Sequence, residues 1–141
     1  MKKIAIFASG SGSNAENIIQ YFAQKPQFCV KSVFCNVPDA YVLERAKKYR
    51  IPTFVFNREE FRNPDKVFRQ LQEQEIDFIA CSFVSKAQDI IDIRNLLKAH
   101  GNPDIDLIAK IESRAGVNNI DEILEVSNGI MIGRGDMGVE I

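Results

Sequence analysis

Six small or polar residues in succession, Ser9-Gly10-Ser11-Gly12-Ser13-Asn14, are the part of this chain best suited to chemistry. Glycine lets backbone N–H groups approach a ligand closely. A helix start adds unpaired donors and the positive end of the helix dipole. The hydroxyls of Ser11 and Ser13 add donors or cap the helix. Together Gly10, Ser11, Gly12, Ser13 and Asn14 suit an anion, a phosphate or sulfate in the first instance. A plain Ser/Gly turn with an N-cap is the simpler alternative, but four small residues in a row are more than a cap requires. The other reactive types offer less. Cys29, Cys35 and Cys81 show no CxxC spacing and read as small buried residues in a reducing compartment. His100, the single histidine, precedes a glycine at a helix end and reads as an exposed last-turn residue favoured by the dipole.

The elements that must position the loop follow from apolar spacing. Lys3 to Ala8 is short, β-branched and apolar, as a buried parallel strand is, and Ala15 to Phe22 repeats apolar residues at helical spacing. Strand, glycine-rich turn and helix are the context a phosphate loop needs. The same alternation continues. Strands are expected at Phe28 to Phe34, Thr53 to Phe56, Asp77 to Val84, Asp106 to Ile111 and Gly129 to Gly133. Helices are expected at Asp39 to Tyr49, after Asn63-Pro64, from Ser85 to His100-Gly101, and at Asn118 to Glu125. The second helix would turn Ala40, Leu43, Ala46 and part of Lys47 inward. The third would bury Val67, Phe68, Leu71 and Ile76. Strands alternating with helices make an all-parallel sheet with right-handed crossovers.

Composition sets the outer bounds. The 141 residues suit one domain, and 45% hydrophobic with 26% charged residues is the balance of a soluble globular protein. A net charge of −1 leaves no basic excess for nucleic acid or an acidic membrane. No apolar run approaches the roughly 20 residues that span a bilayer, and the first apolar run is too short for a signal core.

Two family resemblances cover different parts of the chain. Lys3-Ile-Ala-Ile-Phe-Ala-Ser-Gly-Ser-Gly-Ser-Asn14, with Phe34-Cys-Asn-Val-Pro-Asp-Ala-Tyr-Val-Leu-Glu-Arg-Ala46, resembles the N-terminal half of phosphoribosylglycinamide formyltransferase. The resemblance spans residues 1 to about 79 and implies that Gly12, Ser13 and Asn14 hold a ribonucleotide phosphate. The catalytic Asn, His and Asp of that family have no counterpart here; no Asn-x-His segment exists, and His100 stands in another context. From about Asp77 onward the chain is similar to the catalytic barrel of pyruvate kinase. The similarity rests on Asp77-Phe-Ile-Ala-Cys-Ser-Phe-Val84, Ile108-Ala-Lys-Ile-Glu112, Asn119-Ile-Asp-Glu-Ile-Leu-Glu125 and Gly133-Arg-Gly-Asp-Met-Gly-Val-Glu140. It implies that Lys110 faces a transferred phosphoryl group and that Glu112 and Asp136 are Mg²⁺ or Mn²⁺ ligands. Two carboxylates and a lysine suit that chemistry. The plainer alternatives are a Lys110 that snorkels to solvent and solvated loop carboxylates at Glu112 and Asp136.

Both parents read alike at Asp77-Phe78-Ile79, so the chain is expected to be an engineered chimera. Residues 1–79 would be formyltransferase-like and 80–141 pyruvate-kinase-like, fused in one domain. The expected fold is a three-layer, Rossmann-like, doubly wound α/β sheet of six parallel strands in the order 3-2-1-4-5-6. The first two helices would lie on one face and the later three on the other. With both catalytic sets incomplete, the expectation is a protein that is not an enzyme. Its expected ligand is a phosphate or sulfate at Gly10 to Asn14, and no cofactor is expected beyond a vestigial Mg²⁺ site at Glu112 and Asp136. Two alternatives remain. One is residual formyl or phosphoryl transfer. The other is dinucleotide binding at Gly10-x-Gly12-x-x-Ala15, for which Cys35-Asn36 lacks the acidic residue that holds a ribose. The strand 4–6 face lying away from the later helices, with Ile108, Lys110 and Glu112, is expected to promote homo-oligomerisation. Neither nucleic acid nor membrane is an expected partner. The parents imply a cytoplasmic protein.

Overall fold

The computed structural model describes residues 2–8, 13–38, 40–56, 65–81, 84–102, 104–111 and 113–132. Its strands are β1 (Lys2–Ala8), β2 (Phe28–Cys35), β3 (Thr53–Val55), β4 (Phe78–Cys81), β5 (Asp106–Ile111) and β6 (Gly129–Ile132). The helices are α1 (Ser13–Ala23), α2 (Tyr41–Lys48), α3 (Asp65–Glu73), α4 (Ala87–Ala99), α5 (Arg114–Asn118) and α6 (Ile120–Val126). All strand pairings are parallel, in the order β3-β2-β1-β4-β5-β6, as the sequence leads one to expect. The order reverses between β1 and β4. In such sheets a crevice opens at that point beyond the carboxyl ends of the strands.

Strand alternation sends successive side chains to opposite faces, and two cores result. On one face Ala15, Ile18 and Ile19 of α1 and Val42 and Ala46 of α2 cover Ile4, Ile6, Val33 and Ala80. On the other, Val67, Phe68 and Leu71 of α3, Ile90 and Leu97 of α4 and Ile123 of α6 cover Phe7, Phe34, Ile79, Leu107 and Ile111. The helices divide between the faces as right-handed crossovers require. On α2 Val42 and Ala46 are buried, with Ala40 just before the helix, Leu43 is half-buried, and Lys47 is exposed.

The register of β1 against β2 shifts between Ile4 and Ala5, so Ile4 faces Val30 and Ala5 faces Ser32. The shift carries Ser32 into the interior, where its hydroxyl donates to Gln74 Oε1 at 2.8 Å. Asp77, the first residue of the expected fourth strand, stands just outside β4. It clasps the first strand instead: Lys3 N donates to its Oδ2 at 2.8 Å, and Asp77 N donates to Lys3 O at 2.9 Å.

The helix expected at Asn118 to Glu125 is α6, and a short helix not expected from the sequence, α5, precedes it. Ser113 Oγ accepts from Gly116 N at 3.1 Å and caps α5, and Asn119 separates α5 from α6. Gly116 is there for space. A Cβ on it would stand 2.8 Å from the carbonyl oxygen of Val84, so only glycine lets α5 close onto the chain leaving β4. At the end of α4, Gly101 has φ +81°, the left-handed conformation expected of a glycine after a helix. His100 before it is half-buried, not exposed: its ring stacks on Phe68 at 5.0 Å and 10°.

Candidate functional site

The strand order reverses between β1 and β4, which pair in parallel from Ile4–Phe78 to Phe7–Cys81. β1, beside that reversal, ends at Ala8, and α1 begins at Ser13. Gly10, Ser11 and Gly12, with Ser9, lie outside the described residues. Ser13 and Asn14 open α1. A strand precedes and an 11-residue helix follows, and the first N–H groups of a helix have no intrahelical partners.

Two strands from β1, Lys110 stands near the carboxyl end of β5, in register with Met131 of β6. It is 2% exposed, which excludes a lysine snorkelling to solvent. This also corrects the expectation that Lys110 lies on an uncovered surface; beside it on that face, Phe78, Ile108 and Met131 are half-buried. A buried ammonium is retained only where polar or charged groups surround it. Its field reaches the carboxyl end of β4, where it draws the Cys81 thiol downward. Burial of that thiol outweighs it and pushes Cys81 up to about 12. Cys81 is therefore a neutral core residue and no nucleophile. Glu112 and Asp136 fall outside the described residues. Among the described residues, no group of three His, Cys, Asp or Glu side chains is placed to hold a metal.

At the end of β2, Cys35 is buried with its thiol donating to Val37 O at 3.3 Å, and Asn36 is exposed. The dinucleotide alternative thus finds an amide where a ribose-binding carboxylate would stand.

The first turn of α1 carries a charge cluster that the sequence did not single out. Glu16 accepts from Arg45 Nη1 at 2.6 Å and pairs with Lys48 Nζ at 3.4 Å. Tyr49 Oη donates to it at 3.3 Å, and Gln20 Nε2 donates to that phenol at 2.7 Å. Arg45 also lies over the Tyr41 ring, 4.8 Å from its centre. The Arg45 hydrogen bond, with help from Lys48, holds the Glu16 carboxyl below the ordinary carboxylate range. Nothing in the local sequence links positions 16 and 45. Only a sheet that sets α1 beside α2 does so.

Comparisons with known proteins support two origins. The family model for the pyruvate kinase barrel domain matches residues 25–141. Pyruvate kinase of Clostridium perfringens is 54% identical over 69 residues, covering 49% of this chain and 15% of the relative. Pyruvate kinase of Borreliella burgdorferi is 39% identical over 110 residues, covering 77% of this chain and 23% of the relative. The chain therefore spans less than a quarter of these relatives, and identity falls as the matched length grows. Among solved structures, phosphoribosylglycinamide formyltransferase from Streptococcus pneumoniae superimposes with a TM-score of 0.50 at 38% identity, covering 61% of this chain and 47% of that one. Two family likenesses thus meet in one chain, as the motifs indicate. The family match begins at residue 25, upstream of the pyruvate kinase motifs. One expectation is overturned. The relatives on both sides are enzymes by name, so the reading of this chain as a non-enzyme does not stand.

Proposed function

The chain belongs to the pyruvate kinase barrel-domain family, and on that premise we propose that it is an engineered chimera whose chemistry is recognition of a phosphate group at the sheet's reversal point. Residues 1–79 supply the loop and 80–141 supply the neighbouring strands. Gly10, Ser11, Gly12, Ser13 and Asn14 bind the phosphate through backbone N–H groups and hydroxyls. The observation supporting this reading is the strand order, in which β1, whose end precedes the loop, neighbours β4, the strand both families share. Titration by calorimetry or amide chemical shifts tests it. Inorganic phosphate and a ribose phosphate should compete for one site, and Asn14→Ala should weaken both. Saturable NAD binding that phosphate does not displace would instead favour a dinucleotide module.

A second reading is favoured by the burial of Lys110. A lysine withdrawn from water at the carboxyl edge suits charge neutralisation during phosphoryl transfer, with Glu112 and Asp136 as Mg²⁺ ligands. Coupled assays for phosphoryl transfer and formyl transfer test it; turnover lost in Lys110→Ala but kept in Asn14→Ala would assign the activity to the barrel-derived part. Mn²⁺ relaxation measurements on Glu112→Gln and Asp136→Asn test the metal independently. Self-association belongs to the same proposal, with half-buried Phe78, Ile108 and Met131 as the surface a second copy would cover. A strict monomer by light scattering at high concentration would remove it. No described helix is long and apolar enough to cross a membrane, and we place the protein in the cytoplasm with its parents.

A further inference from the structure

Parallel strands are joined by helices that run back along the sheet, so the helices end where the next strands begin. The amino edge of the sheet therefore collects the last helical turns, and charge divides along it. Toward β1, β2 and β3 the edge is basic. Lys2 opens β1, Lys25 follows α1, Lys47 lies in the last turn of α2 and Arg50 follows it, all exposed. The carboxylates of these two helices, Glu16 and Glu44, stand in their first turns instead. Toward β4 and β5 the edge is acidic. Glu73 ends α3, Glu75 and Asp77 lead into β4, Asp104 precedes β5 and Asp106 opens it. Glu73, Glu75 and Asp104 are exposed, and the two others are half-buried. The cations on this side are Lys3, which pairs with Glu75 at 3.5 Å, and Lys98 in the last turn of α4, with Arg69 a turn further back on α3. Lys2, Lys47, Arg50, Glu73 and Asp104 make no ion pair with another described residue.

A surface basic on one half and acidic on the other is complementary to itself turned by 180°, which is what a two-fold contact requires. An axis normal to the sheet, passing between β1 and β4, sets the basic half of one copy against the acidic half of the other. A polyanion would be drawn to one half and repelled by the other, and a net charge of −1 puts little repulsion between two copies. We propose that the amino edge of the sheet is a docking surface for a second copy of this chain, joined by two equivalent sets of ion pairs about that axis. This surface is distinct from the half-buried apolar face of Phe78, Ile108 and Met131, and it obeys different physics. Exposed ion pairs are individually weak and are screened by salt, so the contact is reversible and fades as ionic strength rises.

The test is sedimentation velocity on the full chain. The unaltered chain should dimerise at about 20 mM salt, with a dissociation constant about tenfold higher at about 500 mM. Lys2→Glu/Lys47→Glu cancels the basic half and Glu73→Lys/Asp104→Lys cancels the acidic half, all at exposed positions outside the described ion pairs. Each double variant should lose the low-salt dimer. An equimolar mixture of the two should recover association, because the acidic half left intact in the first meets the basic half left intact in the second. Misfolded variants would not recover it. Self-association that neither salt nor either double variant changes belongs to the apolar face, and it overturns this inference while leaving that reading in place. A mixture no better associated than its components also overturns it. An unaltered chain that is monomeric under all these conditions overturns both.

Discussion

The parts of the molecule on either side of Val84 hold themselves together by different means. All ten Phe and all three Tyr lie before residue 84, and none lies after it. In the first part, aromatic rings stack through the core: Phe34 sits 5.1 Å from Phe7 and 5.0 Å from Phe54, and Phe28 bridges Phe22 and Phe78. Its two leading helices are joined by the Glu16 ion cluster. The later part packs Ile and Leu and fastens its corners through backbone groups. Asn128 Oδ1 accepts from Leu107 N at 2.9 Å and from Arg94, whose Nη1 reaches Ile105 O at 3.1 Å. Asn119 Nδ2 donates to Ser85 O at 2.8 Å, and Glu122 accepts from Ala87 N at 3.1 Å. Aromatic pairs give a core large contacts with preferred angles, whereas amide clamps fix the backbone at helix and strand ends. One sheet accommodates both, because parallel pairing asks only for apolar faces and matched strand directions.

The largest effects would test whether the two regions form one cooperative unit. Phe34→Ala should cost about 3–5 kcal/mol and Leu107→Ala about 2–5 kcal/mol, since both are fully buried in the same core. Each variant should still unfold in a single transition seen alike by near- and far-ultraviolet circular dichroism. Two separated transitions would break the comparison into two domains. Next in size, Gly116→Ala forces a backbone shift against Val84 and should cost about 1–3 kcal/mol, read as a drop in denaturant midpoint. Smaller again, Asp77→Ala removes the acceptor for Lys3 N and should cost about 1 kcal/mol, at a clasp that supplements the β1–β4 ladder.

The smallest effects at neutral pH grow at its extremes, and each reports a different place. The Glu16 carboxyl is lowered in the folded chain from an ordinary value of 4.5. Its contribution is therefore complete above that value and fades as pH falls through the lower folded one; Glu16→Gln should flatten that part of the acid limb. Cys81 is raised from 9.0 to about 12, so its contribution is complete below pH 9 and fades as pH climbs towards 12. Cys81→Ala should lower stability at pH 7 yet reduce the loss between pH 9 and 12. An alkaline limb unchanged by that substitution would show that β4 opens before its thiol ionises.

How much of this was readable from residues alone follows the same physics. The six strands and their order were legible because buried parallel strands are short apolar runs, and because each of the two families resembled carries a known order. Val67, Phe68 and Leu71 were legible from helical spacing and are buried; Ile76 is buried too, but beyond the end of α3 at Glu73. The short helix α5 was not legible, because it depends on the Ser113 cap and on a glycine whose reason is a carbonyl 32 positions earlier. The stacking of His100 on Phe68 was hidden for the same cause, as was the buried Asn102 that donates to Phe68 O at 3.3 Å. Short-range patterns reveal elements. Contacts between elements appear only after the sheet has set the helices side by side.

The clasp between Lys3 and Asp77, 74 positions apart, also bears on how the chain folds. β1 finds β2 through partners such as Lys2 and Phe28, but its other neighbour, β4, comes roughly three times further along the chain. Closing the longer loop costs about 1 kcal/mol more in chain entropy than closing the shorter one. A β1–β2–β3 unit that gathers early would therefore hold the future centre of the sheet as a bare edge until β4 docks. The slow step in refolding, and the interval most exposed to misassembly, should be that docking, in which the Lys3–Asp77 clasp is first made.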